Sequence, residues 1–289
     1  MPKIPSGGGF SPSFFVNILY TNRDMHLIAL LCQDDQLSRA LSEFHDVASK
    51  VILHPVPYLH DLERVLASLE PLDFAGALIL SASLQERAFS LSSRSSLDAQ
   101  EAAAADSVTV TPGSLVAEYN LGRAVGLALQ HIDWDARGAR AVVLGSGPMG
   151  RAVARDLASS GVRHLSVLGT NRPEAEQTAS QLAITTDVVA RAQDDPLAFK
   201  LLDGADLLVR IDTSTHIPTR HLGPHLTVVD LAPQAMSPLR QRATNLGAVT
   251  LGARDIQAQQ VALCLNHILG STFDAGQFLS LIHGIGEGV

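Results

Sequence analysis

Short apolar runs alternate along this chain with longer amphipathic stretches. The pattern predicts strands over 26–31, 51–56 and 76–80, with helices over 36–48 and 59–69 between them. A polar, serine-rich stretch at 90–96 is followed by a helix over 98–105, a strand over 108–111 and a turn at Pro112-Gly113. The second half opens with a helix over 121–131, a strand over 141–144, a helix to about residue 160 and a strand over 164–168. Strands at 187–190, 206–211, 227–231 and 248–251 follow, and helices over 255–269 and 275–283 close the chain. Strands alternating with helices imply an α/β protein, its mainly parallel sheet covered on both faces. Two such blocks imply two domains with a cleft between them. The expected organisation is an extension over 1–24, containing Gly7-Gly8-Gly9, and a substrate domain over 25–121. The segment 257–289 completes that domain, and a nucleotide-binding domain spans 122–256.

The most specific chemistry lies at the start of the second block. The apolar strand 141–144 runs directly into Gly145-Ser146-Gly147-Pro148-Met149-Gly150, which opens an amphipathic helix. Each glycine of a G-x-G-x-x-G turn has a physical reason: Gly145 permits the tight turn, Gly147 lets backbone approach a pyrophosphate, and Gly150 allows close helix–strand packing. The first-turn N–H groups then face the anion. This is the fingerprint of a Rossmann dinucleotide-binding domain.

An NAD site usually carries an acid about 20 residues beyond the glycines, where it accepts from the ribose hydroxyl. Here the second strand ends in Thr170-Asn171-Arg172, a hydroxyl, an amide and a guanidinium. Arg172 is suited to stack on adenine and pair with a 2′-phosphate, so NADP is the expected cofactor. The same residues, followed by Pro173, also read as an ordinary capped helix start.

Composition narrows the rest. The net charge is −8, against nucleic acid as the main partner. Cys32 and Cys264 lie in apolar runs and are expected to pack rather than to bond or hold metal, so no metal site is predicted. No apolar run approaches the length of a membrane span, and Asn17 interrupts the apolar stretch at 14–19 that a signal peptide would need. A cytoplasmic protein acting on a small molecule is the expectation, with a homodimer as the expected form of any self-association.

The order of elements, and the stretch LGSGPMGRAVARDLASSGVRHLSVLGTNR at 144–172, resemble the shikimate dehydrogenase family and its LGAGGAARAVA…GV…V.NR pattern. The similarity continues at Asp230, Ser237-Pro238-Leu239-Arg240, Gly247-Ala248, Gly252 and Gln259. The resemblance implies an N-terminal α/β domain, a Rossmann domain, C-terminal helices returning to the first domain, and NADPH-linked reduction of a 3-dehydroshikimate-like ketone. It also implies substrate contacts at Ser38, matching one serine of the family's S-x-S pair, and at Gln259. Ser38 reads equally well as a helix N-cap, and Gln259 as part of a polar helix face beside Gln257 and Gln260.

The family's catalytic Lys–Asp pair has no counterpart, so no catalytic residue is assigned. The lysine position reads Leu84 and the aspartate position Leu121, while the only lysines in the chain are Lys3, Lys50 and Lys200. Hydride transfer to a ketone builds charge on oxygen that a donor must neutralise, and loss of a general acid costs on the order of 10²–10⁴ in rate. Glu118, His54 and His60 are the candidate replacements. Three functional readings follow: a shikimate dehydrogenase-like oxidoreductase acting on a small polar hydroxy or keto compound, a non-catalytic NADP(H)-binding sensor, and a methylene-tetrahydrofolate or methylene-tetrahydromethanopterin dehydrogenase. The last shares the two-domain layout and has GSGPMG-like turns, and its reaction needs no acid at a ketone oxygen.

Overall fold

Strand β1 (His26–Leu31) alternates between two cores: Ile28 and Leu30 face one, Ala29 and Leu31 the other, and all four are buried. A strand covered on both faces needs such an unbroken apolar run. The computed structural model describes residues 25–46, 50–57, 61–180, 182, 186–234 and 236–284. The extension at 1–24, His60 and the predicted helical residues 47–48 and 59–60 lie outside the described residues.

In the first sheet β2 (His45–Asp46), β3 (Val51–Pro55), β1, β4 (Phe74–Ile79), β6 (Ser107–Thr111), β7 (Ser114–Glu118) and β5 (Arg94–Ser95) lie in that order. The strands β3, β1 and β4 are parallel, and the β6–β7 hairpin joins β4 antiparallel. Helices α1 (Asp35–Ser42), α2 (Leu62–Ser68), α3 (Ala82–Leu91) and α4 (Leu97–Ala102) belong to this half. Helix α1 stops earlier than its pattern predicts, because Phe44 turns inward onto Phe278, 4.6 Å between ring centroids, and the chain enters β2. The pattern does not predict α3, whose buried residues are Gln85 and Ala88 and which therefore presents no apolar stripe to read. Strand β7, half-buried over most of its length, is also missed.

The second sheet has the order β10 (Asp187–Ala192), β9 (His164–Gly169), β8 (Arg140–Leu144), β11 (Leu207–Arg210), β12 (Thr227–Asp230), β13 (Val249–Gly252), with every neighbouring pair parallel. This is the doubly wound Rossmann order, and its direction of progression reverses between β8 and β11. Around it lie α5 (Leu121–His131), α6 (Gly147–Ser159), α7 (Arg172–Ser180) and α8 (Pro238–Asn245). A 3₁₀ segment, Ala198–Gly204, stands between β10 and β11.

Two final helices tie the halves together. Helix α9 (Ala253–Leu269) leaves β13 and packs on α5, β4 and β6, while α10 (Ala275–His283) packs on α9 and α1. Val261, Leu265, Phe278 and Ile282 thereby share a core with Ile28 and Leu30 of β1. The fold is the expected α/β one, with C-terminal helices returning to the first domain. Among the described residues no helix is long and apolar enough to cross a membrane.

Candidate functional site

The glycine turn follows β8 at the strand-order reversal, where open parallel sheets bind ligands beyond the carboxyl ends of their strands. Gly145 and Gly147 have φ of +135° and +72°, which L side chains rarely adopt. A Cβ on Gly145 would stand 2.8 Å from Ile211 Cβ, and one on Gly150 would stand 2.6 Å from the Gly145 carbonyl oxygen. These two glycines are consumed by packing. Gly147 differs: nothing lies within 4 Å of where its Cβ would be. It opens α6, with Pro148 in the first turn, where N–H groups lack intrahelical partners. Met149 is half-buried against the core. The turn therefore offers an unobstructed backbone surface at a helix N-terminus, which fits a pyrophosphate.

The second βα turn lies beside it. Thr170, Asn171 and Arg172 are all exposed. Asn171 caps α7: its Oδ1 accepts from the Glu174 N–H at 3.0 Å, and its Nδ2 donates to Glu174 Oε1 at 2.7 Å. Glu174 Oε2 in turn accepts from the Ser146 hydroxyl at 2.8 Å. Arg172 Nε donates to Glu176 Oε1 at 2.7 Å. An acid thus reaches the glycine turn from the first turn of α7, four residues beyond Thr170, where a search of the strand end alone misses it.

The residues expected to contact substrate are less concentrated. Ser38 is half-buried within α1, and the helix is capped by Asp34, whose carboxylate accepts from Gln36 N and Leu37 N. The N-cap role considered for Ser38 is therefore Asp34's. Gln259 is half-buried on α9, whereas its neighbour Gln260 is buried. Leu84 and Leu121 contribute to one apolar cluster, so the positions that the family resemblance assigns to a Lys–Asp pair are filled by hydrocarbon. Of the candidate replacement acids, His54 is exposed on β3 and Glu118 is half-buried at the end of β7.

A buried polar knot lies at the carboxyl ends of β1 and β4, where the Ile79 N–H donates to the Asp106 carbonyl at 2.7 Å. Asp106, fully buried, accepts from Asn120 N at 2.6 Å, Asn120 Nδ2 at 2.9 Å, Gln260 Nε2 at 2.8 Å and Cys264 Sγ at 3.5 Å. Burial pushes its carboxyl upward, opposed by these donors, and burial together with the Asp106 charge raises the Cys264 thiol. Alongside it the Tyr119 hydroxyl donates to Gln85 Oε1 at 3.3 Å, and Gln85 Nε2 donates to the Ile79 carbonyl at 2.9 Å. A second buried pair stands at the carboxyl edge of the Rossmann sheet. Arg210 at the end of β11 donates through Nε and Nη2 to Asp230 at the end of β12, at 2.8 and 2.7 Å. Asp230 also accepts from Ala232 N and from the Ser237 hydroxyl. The pairs share one legible signal: a charge inside an apolar strand context, as in AAAADSV and LLVRID, is too costly to bury without a partner.

Cys32 and Cys264 are both free thiols, and among the described residues no group of His, Cys, Asp and Glu is placed to hold a metal.

No family model and no curated protein matches the chain. Solved structures do. Quinate dehydrogenase from Corynebacterium glutamicum, in complex with NAD, is 20% identical with a TM-score of 0.78, over 90% of this chain and 99% of that one. Shikimate 5-dehydrogenase from Thermus thermophilus, in complex with NADP(H) and shikimate, is 21% identical with a TM-score of 0.74, over 90% and 98%. The 5-ketofructose reductase of a Gluconobacter strain is 18% identical with a TM-score of 0.76, over 91% and 99%. The chain has their two-domain fold along nearly its whole described length.

Proposed function

We propose that the chain binds a nicotinamide dinucleotide at the glycine turn and is a shikimate dehydrogenase-like oxidoreductase acting on a small polar hydroxy or keto compound. The observation that carries this reading is Gly147: a positive-φ glycine with open space above it, heading a helix at the strand-order reversal of a Rossmann sheet. Gly145, Ser146, Gly147, Pro148, Met149 and Gly150 would line the pyrophosphate, with Thr170, Asn171 and Arg172 toward the adenosine. When bound, the dinucleotide supplies or accepts a hydride. Ser38 and Gln259 are the proposed contacts to substrate hydroxyls. Leu84 and Leu121, at the positions of the family's Lys–Asp pair, neither hold nor deliver a proton, so turnover of an ordinary ketone is expected to fall by the factor of about 10²–10⁴ typical of a lost general acid.

That same pair of leucines favours a second reading, dinucleotide binding without turnover, in which the chain reports the cofactor's redox state to a partner. The two readings separate in one experiment: incubating concentrated protein with NADH or NADPH and a panel of polar ketones, and with NAD or NADP and hydroxy acids and polyols. Substrate-dependent change in absorbance at the reduced-nicotinamide band supports the oxidoreductase. Saturable binding with no turnover across the panel supports the sensor.

A further inference from the structure

Resting on the dinucleotide reading above, we propose that the site selects the dinucleotide that lacks a 2′-phosphate, NAD, and that Glu174 makes the selection. In a Rossmann domain the adenosine ribose lies between the glycine turn after the first strand and the end of the second. Glu174 spans that gap. One carboxylate oxygen is held by Asn171 Nδ2 at 2.7 Å on the β9 side, and the other by the Ser146 hydroxyl at 2.8 Å within the glycine turn. The carboxylate is thus oriented from both sides before any ligand arrives.

The backbone beneath it is also fixed. A Cβ on Gly169, the last residue of β9, would stand 3.0 Å from Ala175 N, so the first turn of α7 lies close against the strand end. Asn171 Oδ1 closes that turn on the Glu174 N–H. A carboxylate held here accepts hydrogen bonds from ribose 2′- and 3′-hydroxyls, the role an acid at the end of the second strand performs in NAD sites. A 2′-phosphate in the same place would set like charges against each other, with no proton to share between them.

Arg172, the residue that suggests NADP on sequence grounds, offsets this only in part, because its charge is shared with Glu176. Its Nε is engaged by Glu176 at 2.7 Å, and its side chain is 74% exposed. The next cation along the edge, Arg191, stands beside Leu168 in the β9–β10 register and is paired with Asp195 at 2.7 Å. Glu174, Glu176 and Asp195 therefore outnumber Arg172 and Arg191 at this edge. The acid lies in α7 rather than at the strand end, which is why the strand-end rule points to the other cofactor.

The test is equilibrium titration of the full chain with NADH and with NADPH, followed by ligand fluorescence, for the native protein and for Glu174→Gln and Glu176→Gln. Both glutamates are exposed, so the variants are expected to fold, which thermal melting checks. The native protein should bind NADH at least about tenfold more tightly than NADPH, a like-charge penalty of ordinary size. Glu174→Gln should bring the two within about threefold, chiefly by improving NADPH, and Glu176→Gln should improve NADPH alone by releasing Arg172. Equal or tighter binding of NADPH by the native protein, or an unchanged ratio in Glu174→Gln, overturns the selectivity and leaves the dinucleotide reading standing. Binding of neither by folded protein overturns both.

Discussion

Gln260, on the helix that returns from the Rossmann domain, donates Nε2–H to the buried Asp106 carboxylate at 2.8 Å. Asp106 stands immediately before β6 and also holds Asn120, the residue that precedes α5. One carboxylate therefore joins the start of the interior strand β6, the helix leading into the second domain and the helix leading back. Asp106→Leu removes the acceptor of the buried Asn120 backbone N–H and Gln260 side-chain amide, leaving the Asn120 side chain only Ser107 and Cys264, and should cost about 2–5 kcal/mol. Asp106→Asn, which keeps one acceptor oxygen, should cost less. Urea unfolding of the two variants beside the native protein checks the order; equal losses would show that the knot does not act through its acceptors.

Asp156 gives the fold a pH dependence. Burial raises its carboxyl from 3.8 to about 6, while Arg123 and Arg155 pull it down and Asp98 pushes it up. Its Oδ2 is buried with no partner among the described residues. Because the folded-state value is the higher one, this group's contribution is complete below about pH 4 and is lost as pH rises through 6. Asp156→Asn should therefore stabilise the protein at pH 8, by about 1–3 kcal/mol for a shift of this size, with the gain shrinking toward pH 5. Chemical denaturation at both pH values measures it, and a variant less stable at pH 8 would contradict the account.

Close helix packing at the domain junction depends on Gly122. A Cβ there would overlap the Ala152 carbonyl oxygen on α6, a backbone atom that cannot swing aside. Gly122→Ala should cost about 1–3 kcal/mol by forcing α5 and α6 apart. Gly126 faces instead the movable end of Asp156, so Gly126→Ala should be milder. Thermal melts of the two alanine variants compare them directly.

Much of this molecule is legible in its sequence, and the exceptions have causes. The glycine turn and both Rossmann strands beside it are readable because each depends on local rules: apolar runs for doubly covered strands and glycine where φ is positive. Helix α3 escapes because its buried residues include Gln85, bound to a carbonyl rather than to a hydrophobic stripe. The Asp106 knot joins positions more than a hundred residues apart, a relationship no local window contains. Glu174 is missed for a smaller reason: its side chain reaches back from α7 to a turn that strand-end spacing places out of range.

The proposed function requires the glycine turn to bind a dinucleotide. Calorimetric titration of the native chain and of Gly147→Val with NADH and NADPH tests it most directly. The valine side chain would enter the open space above the turn, from a backbone at φ +72°. Saturable binding to the native protein is expected, with its loss in the variant, whose melting transition stays cooperative but is lowered by the strain of valine at positive φ. Absence of binding to the folded native protein, or equal binding to Gly147→Val, would contradict it.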